Sequence, residues 1–112
     1  TMLSQHGFFA ESFVDEVAQA TRQAPLALRR RLTTGNAKAA AVLDELERQF
    51  DFGRRRGRRS GFGIAMADGW NCVCAAALDL TVERGNRLRI NDVACVIHCG
   101  TVINPAIVES QV

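Results

Sequence analysis

Apolar residues recur every three or four positions in the first half of the chain, the spacing of one face of an α-helix. Phe9, Phe13 and Val17 form such a row and predict an amphipathic helix over residues 8–22. The polar residues between them are expected on the solvent-facing side of that helix: Glu11, Asp15, Glu16 and Gln19. Paired carboxylates can also act as a general acid and base, but this helical phase favours the solvated face.

Two further helices are predicted before the middle of the chain. Pro25 suits the first turn of a short helix, because its missing N–H would have no partner there, and Gly35 ends that helix. Asn36 is a suitable N-cap for a third helix over residues 37–50. Both helices are expected to bury an apolar stripe, made of Leu26, Leu28 and Leu32 in the short helix and of Ala39, Val42, Leu43, Leu46 and Phe50 in the longer one.

Beyond Gly61 the apolar residues alternate with polar ones, which indicates β-strands. Strands are predicted over three segments, residues 62–67, 71–82 and 87–99. The second and third form a hairpin through a turn at residues 84–86, where Asn86 can adopt a positive φ. The alternation slips by one position near residues 91–92, so we expect a β-bulge there.

The hairpin register determines which side chains share a face of the sheet. It pairs Leu80 with Ile90 before the bulge and Ala76 with Cys95 after it. The remaining predicted pairs are Val82 with Leu88, Leu78 with Val93, and Cys72 with Cys99. These side chains form one apolar face, which we expect to point into the core.

All four cysteines are predicted to lie on this face: Cys72, Cys74, Cys95 and Cys99. Three interpretations are open: core packing, a Cys72–Cys99 disulfide, and a zinc site. The zinc site would use Cys72, Cys74 and Cys99, with Cys95 or His98 as the fourth ligand. Core packing is favoured, because the C-x-C and C-x-x-H-C spacings differ from those of common zinc ribbons, and we assign no metal ligand. Alternation turns His98 to the opposite face, as expected for a hydrogen-bonded surface residue at a strand end.

The 112 residues, 47% hydrophobic and 23% charged, fit one α+β domain or a piece of one and argue against disorder. We divide them into a helical segment (1–53), an Arg/Gly-rich loop (54–61) and a β-rich segment (62–112). No apolar run of about 18 residues is present, so no membrane span is expected. The chain begins with Thr1 and its apolar pattern is still running at Val112, so we expect a fragment of a larger domain.

One short segment accounts for the net charge of +2. Five of the fourteen basic residues lie within six positions: Arg54, Arg55, Arg56, Arg58 and Arg59. A contact with phosphate or nucleic acid and a solvated connector are the two interpretations of this loop. The connector is favoured, and no nucleic-acid partner is expected, because no aromatic residues alternate with the arginines.

Residues 93–112, VACVIHCGTVINPAIVESQV, resemble the stretch near the second molybdopterin-binding region of the xanthine oxidase and aldehyde oxidase superfamily. Upstream, residues 10–18 (AESFVDEVA) and 61–65 (GFGIA) are similar to the family's ESF-(I/V)-DE-(L/V)-A helix and G-x-G-(I/V)-A strand. The other matching elements are Ala24-Pro25-Leu26, Ala41-Val42-Leu43, Gly53, Cys99-Gly100, Asn104-Pro105 and Gln111-Val112. The isoquinoline 1-oxidoreductase β-subunit type is the most similar subgroup. His98 departs from the pattern, since the family usually has Asp there.

The resemblance implies part of the large subunit of a bacterial molybdenum hydroxylase, which oxidises aldehydes or N-heterocycles with oxygen taken from water. In that family a molybdenum–molybdopterin cofactor carries the reaction, and electrons leave through [2Fe–2S] clusters on a partner subunit or domain. Gln111 matches a glutamine whose amide hydrogen-bonds the cofactor. The family's catalytic glutamate lies after the matched segment. The chain is therefore expected to contain no catalytic residue and to be inactive alone.

The partners implied are the rest of the large subunit, an iron–sulfur small subunit, and a small aldehyde or N-heterocyclic substrate, in the cytoplasm or periplasm of a bacterium. The alternative function is a stand-alone binding module. Such a module would use the Arg54–Arg59 loop for an acidic partner, or the cysteines for structural zinc.

Overall fold

In the computed structural model, which describes residues 2–112 and the side chains from Ser4 onward, helices come first and a sheet follows. The helices are α1 (Met2–Ala20), α2 (Pro25–Leu32), α3 (Ala37–Gln49) and the short α4 (Pro105–Glu109). The strands are β1 (Ser60–Gly69), β2 (Cys72–Val82) and β3 (Leu88–His98), which form an antiparallel sheet in the order β1-β2-β3. The predicted α+β class is therefore confirmed. Within residues 2–112, no helix is both long enough and apolar enough to cross a membrane.

The core lies between α3 and one face of the sheet. Asn36 caps α3 as predicted, because its Oδ1 accepts a hydrogen bond of 3.0 Å from the backbone N–H of Ala39. The predicted stripe of α3 is buried in full, namely Ala39, Val42, Leu43, Leu46 and Phe50. The strands contribute Ile64, Val73, Ala75, Ala77 and Ala94. Most of these strand side chains are small, so the helix can lie close to the backbone of the sheet.

The pairing of the hairpin follows the prediction, but the predicted inward face is wrong. Leu80 pairs with Ile90 and Ala76 with Cys95 as expected. Yet the face that carries them points away from α3, and Leu88 and Ile90 are 69% and 62% exposed. The first part of β2 is apolar on both faces, so alternation could not decide which face α3 covers. The helix packs on the face with the smaller side chains.

The predicted β-bulge is present, and Asn91 is its extra residue. The register passes from the Asp79–Asp92 pair to the Leu80–Ile90 pair, which leaves Asn91 without a direct partner. Its amide nitrogen donates hydrogen bonds of 2.9 Å to the side chains of Asp79 and Thr81. At its other end the paired register stops at Val73 and His98. It therefore ends one residue short of the predicted Cys72–Cys99 pair.

The orientation predicted for α1 is wrong for its phenylalanine row, because the side that carries Glu11 and Asp15 faces the body of the protein. Glu16 and Gln19 are exposed as predicted. Phe9 and Phe13 are exposed. Glu11 and Asp15 each accept a hydrogen bond of 2.8 Å from Arg29 of α2, whose side chain is 1% exposed. A buried cation on the neighbouring helix therefore outweighs the apolar row. The helix also begins earlier than predicted and ends at Ala20, and Leu32, placed in the buried stripe of α2, is exposed.

Candidate functional site

The segment that resembles the molybdopterin region follows β3 as a turn and a short helix. Gly100 has a φ of 82°, so a residue with a side chain would be strained at this point of the turn. Its backbone N–H donates a hydrogen bond of 3.3 Å to Nδ1 of His98. His98 lies on the helix-covered side of the sheet, opposite Val73. It acts locally, by holding the turn that leads to Asn104 and α4.

Gln111, the predicted cofactor contact, lies just after α4. Its backbone N–H donates to the carbonyl oxygen of Val108 at 3.0 Å, and its side chain is exposed. Within residues 2–112 the amide group has no hydrogen-bond partner, so it is free both to donate and to accept. One exposed amide suits a single contact with a pterin or a phosphate but does not form an enclosing pocket. The rest of any such site has to come from other residues, and we derive no catalytic step from this chain.

The cysteines are less buried than core packing predicts. All four are free thiols; Cys95 is exposed, and Cys72, Cys74 and Cys99 are partly exposed. The nearest thiols are those of Cys74 and Cys95, with their sulfur atoms 3.7 Å apart. Burial and the contact with Cys95 raise the pKa of the Cys74 thiol to about 11. The thiols that lie in contact are therefore those of Cys74 and Cys95, which are diagonal neighbours on adjacent strands, and not the predicted Cys72–Cys99 pair.

Two thiols do not complete a structural zinc site, which takes four ligands. Among residues 2–112 no group of three or more His, Cys, Asp or Glu side chains is arranged to hold a metal ion. The zinc interpretation therefore gains no support from the geometry.

The arginine loop, Arg54–Arg59, is held to the sheet mainly through Arg56. Arg56 donates from Nε to Asp79 Oδ2 at 2.8 Å, and its guanidinium carbon lies 4.6 Å from the ring centre of Phe62. Its other nitrogens donate to the backbone carbonyls of Asp51, Phe52 and Arg54, just before it in the chain. Hydrogen bonding from Asn91, reinforced by Arg56, lowers the pKa of the buried Asp79 carboxyl.

The connector interpretation of the loop is incomplete, because Arg56 forms a close and largely buried ion pair with the sheet. In the sequence, the signal for this role was Asp79, the acidic residue that continues the row of Val73, Ala75 and Ala77. A buried carboxylate requires a partner, and a nearby arginine supplies it.

Comparisons with protein-family models, with curated proteins and with solved structures give no match to this chain.

Proposed function

We propose that this chain is part of the large subunit of a molybdenum hydroxylase, of the isoquinoline 1-oxidoreductase β-subunit type. The whole enzyme would oxidise an aldehyde or an N-heterocycle with oxygen from water and pass electrons to [2Fe–2S] clusters on a partner. The bound molybdenum–molybdopterin cofactor supplies that chemistry. This chain contributes Gln111 as one hydrogen-bonding contact and the turn at Gly100 that positions it.

The choice of enzyme rests on the resemblance of residues 93–112, and the uncovered apolar face of the sheet supports the part of the proposal that places this chain in a larger subunit. We call this the open face: it consists of Leu88, Ile90, Val93 and Ile97 of β3 with their partners on β2, and all four are exposed. Soluble monomers rarely expose a contiguous apolar patch of this kind, and such patches usually mark an interface. Ile103 and Ile107, next to Asn104-Pro105 of the resembling segment, are exposed as well. Further parts of a larger subunit would cover these side chains.

The first experiment uses the intact product of the gene, purified from its own cells. We expect molybdenum and iron in fixed proportion, measured by elemental mass spectrometry, and oxidation of an aldehyde or an N-heterocycle. Gln111→Ala removes one cofactor contact and should lower the molybdenum content, whereas the neighbouring Glu109→Gln should leave it unchanged. An intact gene product without molybdenum refutes the proposal. Equal molybdenum content in the two variants refutes the assignment of Gln111.

The second experiment tests whether the open face is unpacked in the 112-residue chain. Leu88→Ser should leave the urea midpoint almost unchanged and reduce both self-association and binding of an apolar dye. Leu43→Ala, in the core under α3, should cost about 2–5 kcal/mol of unfolding free energy. If Leu88→Ser destabilises the chain as much as Leu43→Ala does, the face is already packed and the argument from exposure fails.

A further inference from the structure

A polar cleft of about 440 Å³ lies between the arginine loop and the bulged end of the hairpin. Three cross-strand neighbours, Ser60, Thr81 and Arg89, form its floor, since Thr81 pairs with both of the others. Arg54 and Arg55 of the loop line its other side. We call this the arginine cleft. It lies on the helix-covered face of the sheet, where Asp79 and Thr81 continue the row of Ala77 toward the hairpin turn.

Positive charge in the arginine cleft exceeds the negative charge available to balance it. Asp79 is the only carboxylate among the lining residues, against four guanidinium groups. Arg56 occupies Asp79 at 2.8 Å, which leaves Arg54 at 3.9 Å from the same oxygen. Arg55 has no ion-pair partner within residues 2–112. Arg89 pairs with Glu83, outside the cleft, at 3.1 Å, and Glu83 also lies 3.9 Å from Arg87. An anion that enters the cleft therefore meets Arg55, which has no carboxylate partner, and Arg54 and Arg89, each of which shares its carboxylate with a second arginine.

The donors in the cleft suit a tetrahedral oxyanion. Guanidinium groups present paired N–H donors that match the oxygens of a phosphate group. The hydroxyl groups of Ser60 and Thr81 are hydrogen-bonded to each other at 2.7 Å on the floor, and the one that accepts in this bond keeps its own O–H for an incoming oxygen. Arg56 is fixed by its buried contacts, so part of the cleft is ordered before any ligand binds, which lowers the entropic cost of binding.

We propose that the arginine cleft is a binding site for a phosphate-bearing ligand, held mainly by Arg54, Arg55 and Arg89. The ligand would be a phosphomonoester, a diphosphate or free phosphate, and their common chemistry is a doubly charged tetrahedral oxyanion. A single nucleic-acid strand fits less well, because the aromatic rings beside the loop pack on one another next to Arg56 and offer no open stacking surface; they belong to Phe50, Phe52 and Phe62. The inference is independent of the proposed molybdenum chemistry.

The test is titration of the 112-residue chain with inorganic phosphate, phenyl phosphate and pyrophosphate in phosphate-free buffer. Calorimetry gives the affinity, and the arginine Nε–H signals in NMR spectra locate the site. Arg55→Gln and Arg89→Gln should each weaken binding about tenfold, because each removes one charge-assisted contact. Tighter binding of pyrophosphate than of phosphate would support a diphosphate ligand, and equal affinities would support a monoester or free phosphate.

Arg58→Gln is the matched control, since it removes the same charge from the same loop and Arg58 does not line the cleft. It should change the affinity by less than about twofold, the effect of a distant screened charge. Equal losses in Arg55→Gln and Arg58→Gln would overturn the proposal in favour of diffuse attraction. Absence of saturable binding would overturn it too, as would tighter binding of a single-stranded oligonucleotide. Arg56→Gln is avoided, because that side chain also holds the fold.

Discussion

Two consecutive arginines of α2 provide a direct measure of how burial changes the value of an ion pair. Arg29 and Arg30 each bond two carboxylates on a neighbouring helix. The side chain of Arg29 is 1% exposed, whereas that of Arg30 is 33% exposed and both of its partners are more exposed still. We predict that Arg29→Met costs about 3–5 kcal/mol of unfolding free energy, since it leaves the mostly buried Glu11 without its cation. Arg30→Met should cost about 1 kcal/mol or less, because water screens its pairs.

The assay is urea-induced unfolding, followed by the helical circular dichroism signal. If Arg29→Met is unfolded even without urea, Arg29→Lys keeps the positive charge with fewer donors and should give an intermediate loss. The backbone N–H of Met66, on the open edge of β1, donates to Glu11 at 2.7 Å. Loss of Arg29 should therefore also speed hydrogen exchange at Met66. Losses in Arg29→Met and Arg30→Met that agree within about 0.5 kcal/mol would refute the reasoning from burial.

Three further predictions test local features. Hydrogen bonds from Arg48 lower the pKa of Glu45 to about 2, so the stability from this pair is complete above the ordinary carboxyl pKa and is lost as the pH falls toward 2. Glu45→Gln should therefore make the urea midpoint fall less steeply over that pH range, and an unchanged fall would contradict this pairing. At pH 8, iodoacetamide should alkylate the exposed Cys95 before Cys74, whose pKa is raised. Mass spectrometry of peptides after short exposure measures the order, and earlier alkylation of Cys74 would contradict the prediction. Asn36→Ala should cost about 1 kcal/mol of unfolding free energy because it removes the cap of α3, and Asn36→Gly should cost less. Urea midpoints equal to that of the parent in both variants would contradict the role of the cap.

Features that depend on local chemistry were predictable from the sequence. The stripe and cap of α3, the hairpin turn and the bulge at Asn91 each follow from a period or from a residue with a special conformation. Asn86 adopts a φ of 58°, as its place in the turn requires. The register then follows, because a turn of known length and one extra residue fix which side chains face each other.

Features that depend on a distant partner were not predictable. The row of Phe9 and Phe13 marks an apolar side of α1, and a buried side follows from it only if no stronger interaction competes. Arg29, more than ten residues away, supplies that interaction by pairing with Glu11 and Asp15. The arginine cleft was hidden for the same reason, since a run of arginines does not reveal which of them Asp79 will engage.

Two buried arginine–carboxylate pairs hold the outer parts of this fold, and the largest apolar residues do not. Arg29 with Glu11 holds α1, and Arg56 with Asp79 holds the arginine loop. Buried ion pairs fix geometry but add little net stability, because desolvation offsets much of their attraction. The side chains that could add more stability, those of the open face, remain in water. In this fold the buried ion pairs set the geometry, and the largest remaining gain in stability would come from another surface that covers the open face. Under the proposal that the chain belongs to a larger subunit, burial of the open face by that subunit would supply this stabilisation.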